Sequence, residues 1–230
     1  MHRLLSVIIP AYNEEQSVER VLRDINDLTP QLEDLGYDLE ILLILNCCTD
    51  RTGHTASRVS FVHDIPLRMF SEDKKGYGYA HRKGIAEAKG DVLLTLDCDN
   101  TYPADAIPKM LIHINDGCTF VTTNRLDQDP AMNSTSKLGN YLLSRATSLL
   151  AGTVLTDSQS GMWAFKRHHI ADLLEGLGSG MELSEQLKIR LARVAPAWIE
   201  MPIQYRERIG ESKLNPMGDG LRCLWRLVTT

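Results

Sequence analysis

The stretch Leu4-Leu5-Ser6-Val7-Ile8-Ile9-Pro10 decides the fold class of this chain. A continuous apolar run of this kind, closed by a proline, is typical of a strand that is buried on both faces of a parallel sheet. Soon after it, Asn13 can cap a helix in which apolar residues recur at helical spacing from Val18 to Ile25. The chain therefore opens with a strand followed by an amphipathic helix, which is the unit from which α/β domains are built.

The same alternation continues along the chain. Further strands are predicted at residues 39–45, 67–70, 92–96, 119–123 and 161–165, and further helices at residues 76–89, 103–114, 138–150 and 181–194. Strands separated by helices imply a mainly parallel sheet with helices on both faces. We predict one α/β domain over residues 1–230, in which ligands bind beyond the carboxyl ends of the strands.

Composition and charge narrow the class of protein. The chain has 230 residues, of which 43% are hydrophobic and 24% charged, as in an ordinary globular domain. No apolar run approaches the roughly 18 residues of a membrane-spanning helix, and the first residues do not form a signal peptide, so we expect a cytoplasmic protein. Five cysteines without zinc-type or CxxC spacing favour free thiols.

The net charge of -5 argues against a nucleic-acid partner. Residues 186–230 nevertheless hold eight basic and four acidic side chains. Such a basic stretch suits an anionic ligand or an anionic membrane, and a solvated charged face is the plainer alternative.

Asp97 and Asp99 are the first candidates for chemistry. They directly follow the apolar strand predicted at residues 92–96, and side chains two residues apart on extended backbone lie on the same face. Both carboxylates can therefore converge on one hard divalent cation at the carboxyl end of the strand. The pattern alone is weak, because Asp127 and Asp129 match it inside a polar loop, where turn residues are the more natural interpretation.

Three stretches of sequence together make the interpretation of Asp97 and Asp99 as a metal site stronger than the D-x-D pattern alone does. SVIIPAYNEE at residues 6–15 resembles the opening strand and turn of family 2 glycosyltransferases, which are enzymes of GT-A fold. DCDNTYP at residues 97–103 resembles their metal-binding motif, and YRERIGESKL at residues 205–214 resembles their carboxyl-terminal phosphate clamp. Within the family, DSQSGM at residues 157–162 and GESKL at residues 210–214 are most similar to the polyprenol-phosphate sugar transferases.

The resemblance implies a Rossmann-like GT-A sheet whose residues 1–123 bind a nucleoside diphosphate sugar, with residues 124–230 forming an acceptor lobe and phosphate clamp. It implies that Asp97 and Asp99 hold Mg²⁺ or Mn²⁺, and that Arg208 acts with Asp99 in catalysis. It also implies that Arg206 and Arg208 close on the departing diphosphate, and it leaves open which of the two arginines reaches it. The donor-binding residues that it implies are Pro10, Ala11, Tyr12, Glu14, Asn46, Lys75, Gly76, Asp97, Cys98, Arg206, Ser212 and Lys213.

The chain departs from the family pattern after the second strand, where LNCCTDRT at residues 45–52 replaces the usual D-D-G-S-T-D-G-T. Asn46 offers an amide where an aspartate normally reads the base and ribose, and an amide both donates and accepts hydrogen bonds. Cys47 and Cys48 are expected to pack as thiols, since a vicinal disulfide is strained. A dinucleotide-binding loop at residues 75–78 is disfavoured, because the third glycine is absent and the first strand does not precede it.

Asp157 is the most informative catalytic candidate, and two roles stay open for it. A hydroxyl acceptor needs a carboxylate to take its proton during attack on the anomeric carbon. A phosphate monoester has a second pKa of about 6 and is mostly ionised at neutral pH, so Asp157 would then orient the sugar or complete the metal region. The acceptor phosphate would instead need cations, for which Arg125, Lys137 and Arg145 are available.

Two further features have alternative interpretations. Residues 219–228 alternate basic side chains with leucine and tryptophan, which suits an interfacial membrane helix or a helix that docks on the protein's own core. Glu182 and Glu185 lie one helical turn apart and suit either sugar contacts or a solvated helix face.

We therefore expect a metal-dependent, inverting transfer of a sugar from a nucleoside diphosphate sugar to a dolichyl or undecaprenyl phosphate. Because such an acceptor is a lipid, this hypothesis includes a peripheral contact of the protein with the cytoplasmic face of a membrane as one alternative. The alternatives are a family 2 enzyme with a soluble hydroxyl acceptor, such as a nucleoside or small glycoside, and a nucleotide-sugar-binding domain without turnover. The sugar, the base, the choice of metal and the oligomeric state stay open.

Overall fold

The computed structural model of the protein describes residues 2–126, 134–152, 154–169, 174–195 and 197–211. Outside these ranges lie Ser212 and Lys213 of the predicted clamp, the acidic pair at residues 127–129, and the amphipathic segment at residues 219–228. Lys137 lies in a described helix, but its side chain is outside the description. The predictions for these residues stay predictions.

Strands and helices alternate through the described ranges. The strands are β1 (Arg3–Ala11), β2 (Tyr37–Asn46), β3 (Leu67–Glu72), β4 (Val92–Thr95), β5 (Phe120–Asn124), β6 (Trp163–Lys166) and β7 (Trp198–Pro202). The α-helices are α1 (Val18–Asn26), α2 (Thr29–Asp34), α3 (Thr52–Ser57), α4 (Tyr77–Glu87), α5 (Ala106–Asn115), α6 (Ser134–Ala151) and α7 (Glu182–Val194). The strands and helices predicted from the sequence are all present, whereas α2, α3 and β7 were not predicted. None of the described helices is both long and apolar enough to cross a membrane.

The strands form one seven-stranded sheet in the order β3-β2-β1-β4-β6-β5-β7. β1 pairs in parallel with both β2 and β4, so that Val7 lies opposite Ile41 on one side and Leu94 on the other. β6 runs antiparallel to its neighbours β4 and β5, and the other pairings are parallel. The predicted α/β class with a mainly parallel sheet is therefore confirmed.

A hydrophobic layer covers each face of the sheet, as the alternation of side chains along a strand requires. Along β1, Leu5, Val7 and Ile9 pack on one face with residues of α1 and α5, whereas Ile8 packs on the other face with residues of α4 and α7. These four side chains are fully buried. The prediction of helices on both faces is confirmed, and β1 is an inner strand of the sheet that is buried on both faces.

The strand order reverses at β1. β2 and β3 lie on one side of β1, and β4 and the later strands lie on the other. At such a switch point the loops that leave neighbouring strands turn in opposite directions, and a crevice opens at the carboxyl edge of the sheet. The fold therefore places a binding site at the ends of β1, β2 and β4.

Candidate active site

A cavity of about 340 Å³ lies at this switch point. The described residues that line it are Pro10, Ala11, Tyr12, Glu14, Asn46, Lys75, Gly76, Tyr77, Ala80, Asp97, Cys98, Asp99, Gly180, Met181 and Arg208. The structure thus brings together the residues predicted at the ends of β1, β2 and β4 with one residue of the predicted clamp. Ala80, Gly180 and Met181 were not predicted, whereas Tyr77 belongs to the stretch of residues 75–78 that the resemblance places at the donor pocket. Tyr77 stands inside the glycine-rich entry to α4, which was a usable signal, whereas the approach of Gly180 and Met181 depends on tertiary packing.

Asp97 follows β4 and lines the cavity. The Tyr77 hydroxyl donates a hydrogen bond of 3.2 Å to Asp97 Oδ1. The segment before β6 packs directly against the carboxylate, since a Cβ atom on Gly161 would lie 2.7 Å from Asp97 Oδ2. Burial and the nearby Asp99 carboxylate together raise the pKa of Asp97 to about 7, although the Arg208 guanidinium opposes the rise. A carboxylate whose charge is so unfavourable is a good candidate for a cation ligand.

Asp99 is buried and accepts hydrogen bonds on both carboxylate oxygens. Oδ1 accepts from the Thr101 backbone N–H at 3.0 Å and from the Thr101 hydroxyl at 2.5 Å, and Oδ2 lies 2.6 Å from Arg208 Nη2. The backbone of the clamp stretch is bonded to the same segment. Ile209 N–H donates to the Asp99 carbonyl at 3.0 Å, and Arg206 N–H donates to the Thr101 carbonyl at 2.9 Å. The two stretches that were matched separately in sequence therefore form one unit.

The donor set of this unit fits a divalent cation. Asp97 and Asp99 present hard carboxylate oxygens to the same cavity, which suit Mg²⁺ and Mn²⁺. Within the described ranges there is no group of three or more His, Cys, Asp or Glu side chains that could hold a metal ion. A cation held by the two aspartates would complete its shell with water and with oxygen atoms of a bound diphosphate.

The two predicted clamp arginines point to different places. Arg208 lines the cavity. Arg206 instead pairs with Asp24 at 3.4 Å and with Asp105 at 3.1 Å, and it is not among the described lining residues. The position of Arg206 does not match the donor contact predicted for it, because its guanidinium is held by carboxylates of the α1 and α5 region.

Backbone strain is concentrated at the strand ends that form the cavity. Asn13, Cys47 and Asn100 are the described non-glycine residues with positive φ, at 56°, 52° and 68°. They follow β1, β2 and β4 respectively. Such conformations persist where the surrounding structure imposes them, and they are common at binding sites. The described cysteines, Cys47, Cys48, Cys98 and Cys118, are free thiols, as predicted.

Asp157 and Arg125 form a buried pair. Arg125 Nε donates to Asp157 Oδ2 at 2.7 Å, Nη2 donates to Oδ1 at 2.8 Å, and the Arg125 backbone N–H adds a third bond at 3.0 Å. Burial alone would raise the pKa of Asp157, but the Arg125 charge and hydrogen bonds outweigh it and hold that pKa below its usual value. Neither residue is among the described lining residues. Of the two roles left open for Asp157, this geometry disfavours that of a base, and it pairs the Arg125 guanidinium that was expected to be available to an acceptor phosphate.

A buried polar network surrounds this pair. Lys188 is fully buried, and its ammonium donates to the carbonyls of Ser158, at 3.0 Å, and Ser160. Burial lowers the pKa of Lys188 to about 8, although the charge of Asp157 opposes the shift. Glu182 and Glu185 are 3% and 1% exposed, so the solvated-face alternative for them is wrong. Sequence reasoning missed Lys188, since a lysine on a helix is ordinarily solvated.

Comparison with known proteins identifies the family. Residues 6–174 match the family model described as glycosyl transferase family 2. The chain belongs to this family. One relative, a protein of Haloferax volcanii named dolichyl-phosphate hexose transferase, is 33% identical to this glycosyltransferase over 217 residues. The match covers 94% of this chain and 89% of that protein. The predicted family and enzyme class are therefore confirmed.

Solved structures of glucosyl-3-phosphoglycerate synthase from Mycobacterium tuberculosis share the fold. The complex with phosphoglyceric acid has a TM-score of 0.78 and 22% identity, covering 99% of this chain and 79% of that chain. The complex with Mn²⁺, uridine diphosphate and phosphoglyceric acid has a TM-score of 0.74 and 20% identity, covering 99% and 78%. A further complex of the same enzyme holds Mg²⁺ and uridine diphosphate. The predicted GT-A fold is confirmed.

Proposed function

We propose that this glycosyltransferase moves a hexose from a nucleoside diphosphate sugar to a polyprenyl phosphate, with inversion at the anomeric carbon. The observation that carries the proposal is the meeting of Asp97, Asp99 and Arg208 in one cavity at the switch point of the sheet. The name of the Haloferax volcanii relative supports both the hexose and the lipid phosphate acceptor. The metal complexes of the structural neighbours support Mg²⁺ or Mn²⁺ as cofactor.

Each part of the cavity has a role in this proposal. Asp97 and Asp99 hold the cation, whose charge stabilises the negative charge that develops on the departing diphosphate. The Arg208 side chain is 26% exposed and pairs with Asp99, and its guanidinium can bind diphosphate oxygens through parallel hydrogen bonds. Ser212 and Lys213 extend the clamp in sequence. The base, ribose and sugar are held by Pro10, Ala11, Tyr12, Glu14, Lys75, Gly76 and Cys98, and Asn46 lies in the wall of the same cavity.

The Asp157–Arg125 pair favours a phosphate acceptor over a hydroxyl acceptor. A hydroxyl needs a base that takes its proton, but both Asp157 oxygens are engaged with Arg125. An ionised phosphate needs no such base. We therefore assign Asp157 to the positioning of Arg125, and we keep Lys137 and the remaining N–H groups of Arg125 as contacts for the acceptor phosphate.

The two halves of the chain have different functions in this proposal. Residues 1–123 supply most of the donor cavity, and residues 124–230 supply the acceptor region and the clamp, with Arg208 reaching back into the donor cavity. A polyprenyl phosphate resides in a membrane, so the enzyme would act at a membrane surface. The basic, leucine-rich segment at residues 219–228 is a candidate for that contact.

The acceptor class is tested by a transfer assay with a matched pair of lipids. The protein is incubated with Mn²⁺ or Mg²⁺, a panel of radiolabelled nucleoside diphosphate hexoses, and either a polyprenyl phosphate or the same polyprenol without phosphate. We expect label in the lipid fraction with the phosphate only, and only when the metal is present. Transfer to the unphosphorylated polyprenol, or to 3-phosphoglycerate in place of the lipid, would contradict the proposed acceptor.

A further inference from the structure

We propose that Asn46 is a positioning residue. Its amide fixes the loop between β3 and α4, and through that loop it shapes two walls of the donor cavity. This role differs from the direct reading of the base and ribose that the resemblance implies for an aspartate at this position. The inference rests on the proposed donor site for its functional consequence, but its structural part concerns the protein without any ligand.

The hydrogen bonds of Asn46 go to the backbone of one loop. Nδ2 donates to the carbonyl of Lys74 at 2.8 Å and to the carbonyl of Glu72 at 3.2 Å, and Oδ1 accepts from the Gly76 N–H at 2.9 Å. Asn46 is 5% exposed. A side-chain amide can donate two hydrogen bonds and accept two, so Asn46 makes three of its four possible hydrogen bonds within the protein. Both donors are used, which leaves a single lone pair for any ligand.

An aspartate cannot make this set of contacts. A carboxylate has no N–H donor, and it would lie beside the Lys74 and Glu72 carbonyl oxygens, which also carry partial negative charge. Only the bond from the Gly76 N–H would survive. The asparagine is therefore matched to the loop, and the departure from the family pattern has a structural reason within this chain.

The loop held by Asn46 positions the first wall of the cavity. Lys75 lies between the two bonded positions, Lys74 and Gly76, and both Lys75 and Gly76 line the cavity. The Lys75 ammonium donates to the Tyr12 hydroxyl at 2.9 Å and lies 4.5 Å from the centre of the Tyr12 ring. This contact joins the loop to the residues that follow β1, so the placement of Lys75 and Tyr12 depends on the anchored loop.

The same loop positions the second wall. Gly76 has φ of 152°, and a Cβ atom there would lie 2.5 Å from the Ser179 carbonyl oxygen. The Gly78 N–H donates to that oxygen at 2.9 Å. Ser179 directly precedes Gly180 and Met181, which line the cavity. Because the two loops touch backbone to backbone, a shift of the first displaces the second, and Asn46 affects residues that it does not contact.

Hydrogen exchange of the ligand-free protein tests the structural part. Asn26 provides a matched control, because its buried amide also bridges a loop, accepting from the N–H groups of Val62 and His63 and donating to the His63 carbonyl at 2.8 Å. We expect the amides of residues 72–76 to exchange at least about tenfold faster in Asn46→Asp than in wild type. In Asn26→Asp, whose carboxylate still accepts from the Val62 and His63 N–H groups, we expect exchange at residues 72–76 to be unchanged. Unchanged exchange at residues 72–76 in Asn46→Asp would overturn the inference.

Nucleotide binding tests the functional part. Affinities for uridine, guanosine and cytidine diphosphates are measured with Mn²⁺ by calorimetry for wild type, Asn46→Asp and Asn26→Asp. We expect Asn46→Asp to lower the affinity for every nucleotide that wild type binds, by a similar factor of about ten or more. We expect Asn26→Asp to leave these affinities unchanged. Retained affinity in Asn46→Asp, or a changed order of preference among the bases, would overturn the inference in favour of direct reading. If wild type binds none of the nucleotides, the proposed function fails and the exchange experiment alone decides this inference.

Discussion

Two carboxylate–arginine ion pairs have similar N···O distances but lie in different surroundings. Asp99 and Arg208 approach to 2.6 Å at the cavity, where the Arg208 side chain is 26% exposed. Asp157 and Arg125 approach to 2.7 Å in the interior, where the two side chains are 0% and 9% exposed. A buried pair that loses one partner leaves an uncompensated charge, whereas a pair that faces a cavity can exchange its partner for a ligand. Burial therefore separates a pair that can open to a ligand from a pair that stays closed, in which Arg125 can offer a ligand only the N–H groups that Asp157 does not use.

The largest expected effect is the loss of transfer activity in Asp99→Asn. The variant removes one cation ligand and leaves Thr101 able to donate to the remaining amide oxygen. We expect transfer to fall at least about a hundredfold. The melting temperature should change little, because relief of the repulsion with Asp97 offsets the lost ion pair with Arg208. Activity near the wild-type value at saturating Mn²⁺ would show that Asp99 is not a cation ligand.

The largest loss of stability is expected for Asp157→Asn. Breaking the buried pair leaves the Arg125 charge without its partner, so we expect a loss of about 3–5 kcal/mol in the free energy of unfolding. Asp105→Asn is the control, because it breaks an exposed ion pair with Arg206 and should cost about 1 kcal/mol or less. Calorimetry and urea unfolding measure both. Equal stability of the two variants would mean that the buried pair is not structural.

A smaller effect is expected from the buried His81 on the pH dependence of stability. Burial lowers the pKa of His81 from 6.5 to about 3, and neither ring nitrogen has a hydrogen-bond partner among the described residues. The unfolded chain therefore binds a proton between these pH values that the folded protein does not, and stability falls as pH drops below 6.5. His81→Phe should remove up to about 1.4 kcal/mol of this loss per pH unit. Parallel stability curves for the two proteins between pH 7 and pH 4.5 would contradict this account.

The smallest effect is expected for Arg206→Ala. Its ion pairs with Asp24 and Asp105 are partly exposed, so their loss should cost about 1 kcal/mol or less and leave nucleotide affinity unchanged. Arg208→Ala should weaken nucleoside diphosphate binding about tenfold or more, because a charged hydrogen bond to the ligand is lost. Calorimetric titration of both variants distinguishes them. Equal losses of affinity would place both arginines in the clamp.

The sequence predicted the inner strands and the edge strand β3, but it did not predict the other edge strand, β7. β1 and β4 were predictable because they are apolar runs buried on both faces. β7 was missed because Glu200 and Pro202 interrupt its apolar residues. Glu200 accepts hydrogen bonds from the backbone N–H groups of Thr156 and Asp157, at 2.7 Å each, so its place in the strand depends on a distant loop. The antiparallel direction of β6 likewise has no local signal.

The candidate site divides in the same way. Residues that follow β1, β2 and β4 were predictable, since the carboxyl ends of parallel strands meet at one edge. The sequence did not predict which of Arg206 and Arg208 faces the cavity, because both fit the same motif. Arg206 faces away because it pairs with Asp24 and Asp105. The pairing of Arg125 with Asp157 joins residues 32 positions apart in sequence, and no spacing rule predicts it.

The most direct measurement is a crystal structure of the protein with Mn²⁺ and a nucleoside diphosphate, using the anomalous signal of manganese. The account predicts one strong peak in contact with both Asp97 and Asp99, the diphosphate bound to it, and the Arg208 guanidinium on the diphosphate. The Asp157–Arg125 pair should be unchanged. A manganese peak elsewhere in the cavity, or a diphosphate bound without either aspartate or Arg208, would contradict it.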